Sequence, residues 1–380
     1  MPETLPFTPN QLVFFFAFAF FVSAASARGL SFFALRVGLS DLPGGRKQHE
    51  GPIPVTGGIA MFTGFAASVL TSGQVAQPTL ALVAVLGLLV AGGTADDMHD
   101  LSPRSKFLLQ IIAALFMTSW AGVQVAQLGD LLGMGPVPLN YWAIPFSVVC
   151  ALGTVNAINM VDGLDGAVGG ISLVVSLALA WAAAAQGLGP QCVLLLLLAG
   201  AIGGFLVWNL RIPGRKQAAV FMGDAGSMTL GFAICWFSID VTQGPGRTFP
   251  PIACVWLLAV PLLDMARVMF VRLLRGTSIF SADREHLHHF LLARGWSVAM
   301  SAWILIGASV VASAVGVGAW HFGVPDWVVF YAFMALLTVI LGSAWLRERK
   351  TRKASPLGHL LHDSRPAPDF GESARRPPLE

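Results

Sequence analysis

The chain has 380 residues, 55% of them hydrophobic and only 11% charged, with a net charge of +3. That balance excludes an ordinary soluble domain, and 23 Lys and Arg against 20 Asp and Glu leave no basic surface of the kind that grips nucleic acid. The expected fold is an all-α polytopic membrane protein with the lipid bilayer as its solvent. The four cysteines, Cys150, Cys192, Cys235 and Cys254, lack zinc or disulfide spacing and read as small apolar packers.

About eleven apolar runs approach the length needed to cross roughly 30 Å of hydrocarbon as helices. They fall near residues 11–36, 57–73, 79–95, 105–122, 137–155, 167–186, 190–210, 221–240, 250–273, 298–320 and 325–346. The second is short, and the fifth is interrupted by Tyr141, Pro145 and Gly153. The first is too long for a cleaved leader and is kept as a span. Residues 1–346 thus form the membrane domain. Residues 347–380 turn abruptly basic and then rich in Pro, Ser and Arg, the composition of a disordered tail. Lys and Arg accumulate in cytoplasmic loops. An N-terminus outside and a C-terminus in the cytoplasm puts every one of them except Arg247 on or near the inner side.

The polar residues gather in those inner loops. The first carries Asp41, Arg46, Lys47, His49 and Glu50 and then leads through Gly57 and Gly58 into a helix, where cations and a helix N-terminus can hold phosphate oxygens. The third run ends in Asp96 and Asp97, with Arg104 and Lys106 beyond; adjacent carboxylates at a membrane boundary call for a metal or a cation. The next loop packs Asn156, Asn159, Asp162, Gly163, Asp165 and Gly166 into one short stretch. Asn156 and Asn159 share a helix face, and oxygen-only donors favour a hard cation such as Mg2+. After Arg211, Arg215 and Lys216, Asp224 stands among glycines at the start of a helix, just past Phe221, placed to complete such a site or to cap that helix. In the ninth run Asp264 and Arg267 are spaced to neutralise each other. The last inner loop holds Arg284, His286, His288 and His289, suited to clamping a phosphate. With no cysteine beside them, zinc is the poorer reading.

Taken together, RKQH at 46–49, PIPVTGG at 52–58, ADD at 95–97, NAINMVDGLDG at 156–166, FMGDAGS at 221–227 and HLHH at 286–289 resemble the polyprenyl-phosphate N-acetylhexosamine-1-phosphate transferases, glycosyltransferase family 4. The His-x-His-His pattern is similar to the WecA/TagO-like branch. The resemblance covers about residues 11–346. It implies an eleven-helix fold in a bacterial inner membrane, UDP-N-acetylglucosamine as donor, undecaprenyl phosphate as acceptor, and undecaprenyl-diphospho-GlcNAc and UMP as products. Such a step opens the synthesis of a cell-surface polysaccharide, O-antigen among them. A homodimer is left open.

By the same resemblance, Mg2+, with Mn2+ as substitute, is held by Asp224 and Asn159. Asp162, Gly163, Asp165 and Phe221 face the uridine, with Phe221 stacked on uracil. Arg284, His286, His288 and His289 bind pyrophosphate, Lys47, His49 and Lys106 lie near phosphate, and Asp96 and Asp97, with the three histidines, make up the catalytic set. A phosphate monoester is mostly a dianion at neutral pH, so in-line attack of the acceptor on the β-phosphorus is expected, driven by alignment and charge neutralisation. Asp96 would orient or deprotonate the acceptor and Asp97 would position Lys106 or the metal; a covalent aspartyl-phosphate is the alternative. Rival readings are another UDP-N-acetylhexosamine such as a 6-deoxy sugar and, from a different class, a transporter. Transporters place their polar site near the midplane, whereas these acids collect at one face.

Overall fold

The computed structural model describes residues 8–42, 51–212, 214–215, 217–278 and 286–354. Among them the chain is almost entirely helical. Thr8 opens α1 (Pro9–Val37) with a reciprocal cap: its backbone N–H donates to Gln11 Oε1 at 2.9 Å and its hydroxyl accepts from Gln11 N, which satisfies donors that a helix start leaves bare. A two-stranded antiparallel ribbon, β1 (Ser40–Asp41) with β2 (Ile53–Pro54), pairs Ser40 with Pro54. Then come α2 (Gly57–Ser72), α3 (Gln77–His99), α4 (Pro103–Ser119), α5 (Ala143–Val161), α6 (Ala167–Ala185), α7 (Gly189–Asn209), α8 (Gly223–Thr242), α9 (Pro251–Leu257), α10 (Ala259–Arg275), α11 (Leu287–Ala293), α12 (Val298–His321) and α13 (Asp326–Ala354).

Every expected apolar run is helical, and the chain is a multi-pass membrane protein. Eight helices are long and apolar enough to cross a bilayer alone, and nine spans result if α9 and α10 count as one. The remaining two runs form α2 and α4, of 16 and 17 residues. At about 1.5 Å per residue these helices fall short of the hydrocarbon thickness, and the first turn of α4 carries Arg104 and Lys106. The run at 250–273, expected as one helix, bends by 77° between α9 and α10. Pro261 explains the break, because it has no N–H to give the carbonyl of Leu257. The last helix continues eight residues past the expected end at 346, to Ala354, and the rest of the predicted tail lies outside the described residues.

Between helices, small residues replace the hydrophobic drive that lipid does not supply. A Cβ on Gly204 of α7 would stand 2.2 Å from the carbonyl oxygen of Phe20 on α1, and Ser23 Oγ ties the same pair by donating to Ala201 O at 2.7 Å. At the α2–α8 crossing a Cβ on Gly58 would lie 2.3 Å from the backbone nitrogen of Gly226. The central helix α8 is buried along nearly its whole length. Around it the C-terminal ends of α3, α5 and α7 meet the N-terminal ends of α2 and α8 at one end of the bundle.

Candidate active site at the polar end of the bundle

The entry to α8 is built around Asp97. Gly223 has φ 72°, and a Cβ there would meet Asp97 Oδ2 at 2.5 Å, so this left-handed position against a carboxylate requires glycine. Asp97 accepts from the backbone N–H of Asp224 at 2.8 Å and of Ala225 at 3.2 Å. It thus caps α8 from a neighbouring helix, with a negative charge on the positive end of the helix dipole. Asp224 itself makes no cap. Its carboxylate accepts from Lys106 Nζ at 3.0 Å and from Asn159 Nδ2 at 2.6 Å.

Asp96 takes a different place. It is buried, accepts from Leu101 N at 2.8 Å and forms an ion pair with Lys106. Lys106 therefore bridges Asp96 and Asp224, so of the two roles expected of Asp97, positioning Lys106 or the metal, the first falls to Asp96 and Asp224. The expected phosphate role of the helix start at Gly57 and Gly58 also changes. These N–H groups donate to the carbonyls of Phe221 at 3.0 Å and Met222 at 3.1 Å, so they hold the α8 entry instead of a ligand.

The loop between α5 and α6 forms the opposite wall. Asp165 accepts from Arg211 Nε at 2.7 Å and from Ala218 N at 3.1 Å. Asn209 bonds both ways, taking the Gly166 N–H at 2.8 Å and giving its amide to Val220 O at 2.9 Å. Asp162 is exposed to the water of the cavity it lines. Partial desolvation within that recess, and after it the charges of Asp224, Asp165 and Asp97, pushes its carboxyl up to about 7. Asn156, expected beside Asn159, turns instead to Gln110 Oε1 at 3.0 Å.

The histidines arrive on α11. His286 Nδ1 lies 3.1 Å from Asp264 Oδ2, and the Leu287 N–H donates to Asp264 Oδ1 at 2.9 Å. Arg267 reaches the same carboxylate at 3.2 Å, so the expected Asp264–Arg267 pair exists but is one arm of a larger set. His288 is buried, its ring parallel to that of His286 at 5.6 Å. A Cβ on Gly163 would lie 2.3 Å from His288 Nε2, so glycine lets the α5–α6 loop rest on the imidazole. Burial, with His289 and His286 nearby, lowers the His288 pKa to about 4, and the ring is neutral at physiological pH.

These walls enclose a cavity of about 960 Å3, at the upper end of the range for small-molecule sites. Asp97, Asn159, Asp162, Gly163, Asp165, Phe221, Asp224 and His289 all line it. Asp96, Lys106, His286 and His288 stand behind that lining. Lys47, His49 and Arg284 lie outside the described residues. Asp41, Asn209, Arg211 and Gln217 also line the cavity and were not singled out as ligands by the sequence; Asp41 showed only as one charge of the first inner loop, and the other three as part of the polar stretch that ends a long apolar run at 209–217.

Among the described residues no three His, Cys, Asp or Glu converge closely enough to cage a metal. The wall is nonetheless rich in carboxylates, and Asp224 with Asn159 offers oxygen donors: turning the Asn159 carbonyl toward a cation shared with Asp224 would exchange the Nδ2 bond to Asp224 Oδ1 at 2.6 Å for coordination by both residues. This set fits a hard divalent cation of the kind that takes one or two protein oxygens and completes its shell with water and substrate phosphate.

Comparison with known proteins agrees with the geometry. Residues 79–242 match the model of glycosyl transferase family 4, a stretch that includes Asp96, Asp97, Asn159, Asp162 and Asp224. The chain is 32% identical over 323 residues to an undecaprenyl-phosphate alpha-N-acetylglucosaminyl 1-phosphate transferase of Yersinia pestis, covering 85% of this chain and 87% of the relative. It is 33% identical over 306 residues to the protein of that name from Escherichia coli strain K12, covering 79% and 82%. For the one from Haemophilus influenzae the figures are 32% over 325 residues, 83% and 91%.

Proposed function

The chain belongs to glycosyl transferase family 4, and from that premise we propose that it transfers N-acetylglucosamine-1-phosphate from UDP-GlcNAc to undecaprenyl phosphate. The products are undecaprenyl-diphospho-GlcNAc and UMP. The observation that carries this reading is the single cavity in which Asp97, Asp162, Asp224, Arg211, His289 and Phe221 meet. It is large enough for a nucleotide sugar, and its acids suit a metal-assisted diphosphate site better than a bare anion site.

An oxygen of the acceptor phosphate attacks the β-phosphorus of UDP-GlcNAc; that P–O bond forms as the bond from the β-phosphorus to the bridging oxygen breaks, and UMP leaves with that oxygen. The acceptor is largely a dianion near neutral pH, so no strong base is required. Mg2+, or Mn2+ in its place, held by Asp224 and Asn159 neutralises charge on the diphosphate when bound. Asp97 fixes the N-terminus of α8 and with it the position of Asp224. Lys106 holds positive charge beside Asp224, and Asp96 keeps that lysine in place. Phe221 offers a face for the uracil ring, while Arg211 and His289 present donors to the phosphates. The cavity opens to the cytoplasm of a bacterial inner membrane, with the N-terminus outside. This orientation is supported by Arg36, Arg104, Arg211, Arg272 and Arg347 lying at the cavity end of their helices or just beyond it, since cytoplasmic loops collect positive charge.

Donor labelled at the β-phosphorus tests the assignment. The label should pass entirely into the organic-extractable lipid and leave UMP unlabelled. Label appearing in free phosphate, or remaining in the donor while protein is demonstrably folded, contradicts it.

A further inference from the structure

We propose that Asp264 is a positioning residue for the histidine segment, fixing the tautomer of His286 and the start of α11 so that His288 supports the α5–α6 loop and His289 is presented to the substrate site. The inference rests on the proposed transfer reaction and deepens it. Asp264 is 4% exposed and sits on α10 just beyond the 77° bend, which turns the carboxylate toward the start of α11. Three groups converge on it: His286 Nδ1 at 3.1 Å, the Leu287 N–H at 2.9 Å and Arg267 Nη2 at 3.2 Å.

A carboxylate can only accept, so the proton of this contact is carried by His286 Nδ1. The Leu287 bond fixes the direction of the first turn of α11. From there the contacts run on to the cavity: the parallel ring of His288 follows at 5.6 Å, Gly163 of the α5–α6 loop lies against His288, and His289 lines the cavity wall. An acid behind a functional histidine, holding its tautomer and aim, is a recurrent arrangement whose loss typically costs about ten- to a hundredfold. Asp264 is absent from the lining of the donor cavity and instead lines a second, more apolar cavity of about 520 Å3 with Arg267, Leu287 and Arg347, so it reaches the donor side through His286 and the start of α11.

The experiment uses the full chain in detergent, 15N-labelled at histidine. In long-range 1H–15N spectra, with the His286 signals assigned by their loss in His286→Ala, wild type should carry the proton on Nδ1. Asp264→Asn can still accept from Leu287 through its amide oxygen, but presents a donor to the ring and should move that proton to Nε2. In UMP release from UDP-GlcNAc and undecaprenyl phosphate, Asp264→Asn should lower kcat/KM about ten- to a hundredfold and cause no further loss in a His286→Ala background. A wild-type proton on Nε2, an unchanged tautomer in Asp264→Asn, or losses that multiply in the double variant would overturn the proposal. The tautomer is read without substrate, so a wild type that releases no UMP defeats the functional reading while leaving this one decided.

Discussion

At the scale of single residues, Asp224 concentrates the contacts of the cavity wall: it meets Lys106 at 3.0 Å and Asn159 at 2.6 Å and opens α8 into the cavity. Asp224→Asn should cut turnover by on the order of a thousandfold, the scale of losing one preorganised charge contact, with the melting temperature in detergent little changed. Retained activity would remove Asp224 from the site. Asp162 gives a prediction of opposite kind. Its carboxyl is raised from 3.8 to about 7, so the unfolded chain ionises first, and folding loses stability as pH rises from about 4 to about 7. Asp162→Asn removes that loss. The gain in melting temperature of the variant over wild type should be negligible near pH 4 and grow to a plateau above pH 7; a gain independent of pH would contradict the placement. His288, neutral down to about pH 4, should leave no inflection in activity between pH 5 and 8.

At the scale of elements, the site depends on how closely α2 and α3 approach α8. Gly58 on α2 and Gly93 on α3 would both drive a Cβ to 2.3 Å from the α8 backbone. Gly58→Leu should therefore cost about 1–3 kcal/mol or more by overpacking and reduce turnover with it, whereas Gly29→Ala on α1, where nothing lies within 4 Å, should be silent in both. Thermal melts with UMP release on the same preparations check the pair. The helices themselves were legible in the sequence, since each apolar run carries its own length and end signals. The bend at Pro261 was visible as a residue but not as an angle, because a proline sets where a helix breaks and the neighbours set how far. The roles of Asp96 and Asp97 were legible only as a pair: which one faces the cavity is decided by the Gly223 turn and by Lys106 from α4, contacts 10 to 128 positions apart. Asp264 looked like half of an ion pair for the same reason, its other two partners lying 22 and 23 residues on.

For the molecule as a whole, alternating helix directions bring α1, α3, α5 and α7 to the cavity end by their C-termini and α2, α4, α6 and α8 by their N-termini, so one face carries the acids and most of the bases. If that face is cytoplasmic, a membrane-impermeant thiol reagent applied to intact spheroplasts of a strain expressing a cysteine-free background should label Arg247→Cys. It should reach Lys350→Cys only after permeabilisation, and the reverse pattern would invert the proposed topology. The central claim is a lipid-dependent, metal-dependent transfer from a nucleotide sugar. Its most direct test is UMP release by purified protein from a panel of UDP-sugars, with undecaprenyl phosphate and Mg2+ each omitted in turn. UDP-GlcNAc should be the preferred donor, and omission of either lipid or metal should abolish release. Preference for another UDP-N-acetylhexosamine would contradict the sugar assignment, and no UMP from any donor, in protein that melts cooperatively, would contradict the transferase itself.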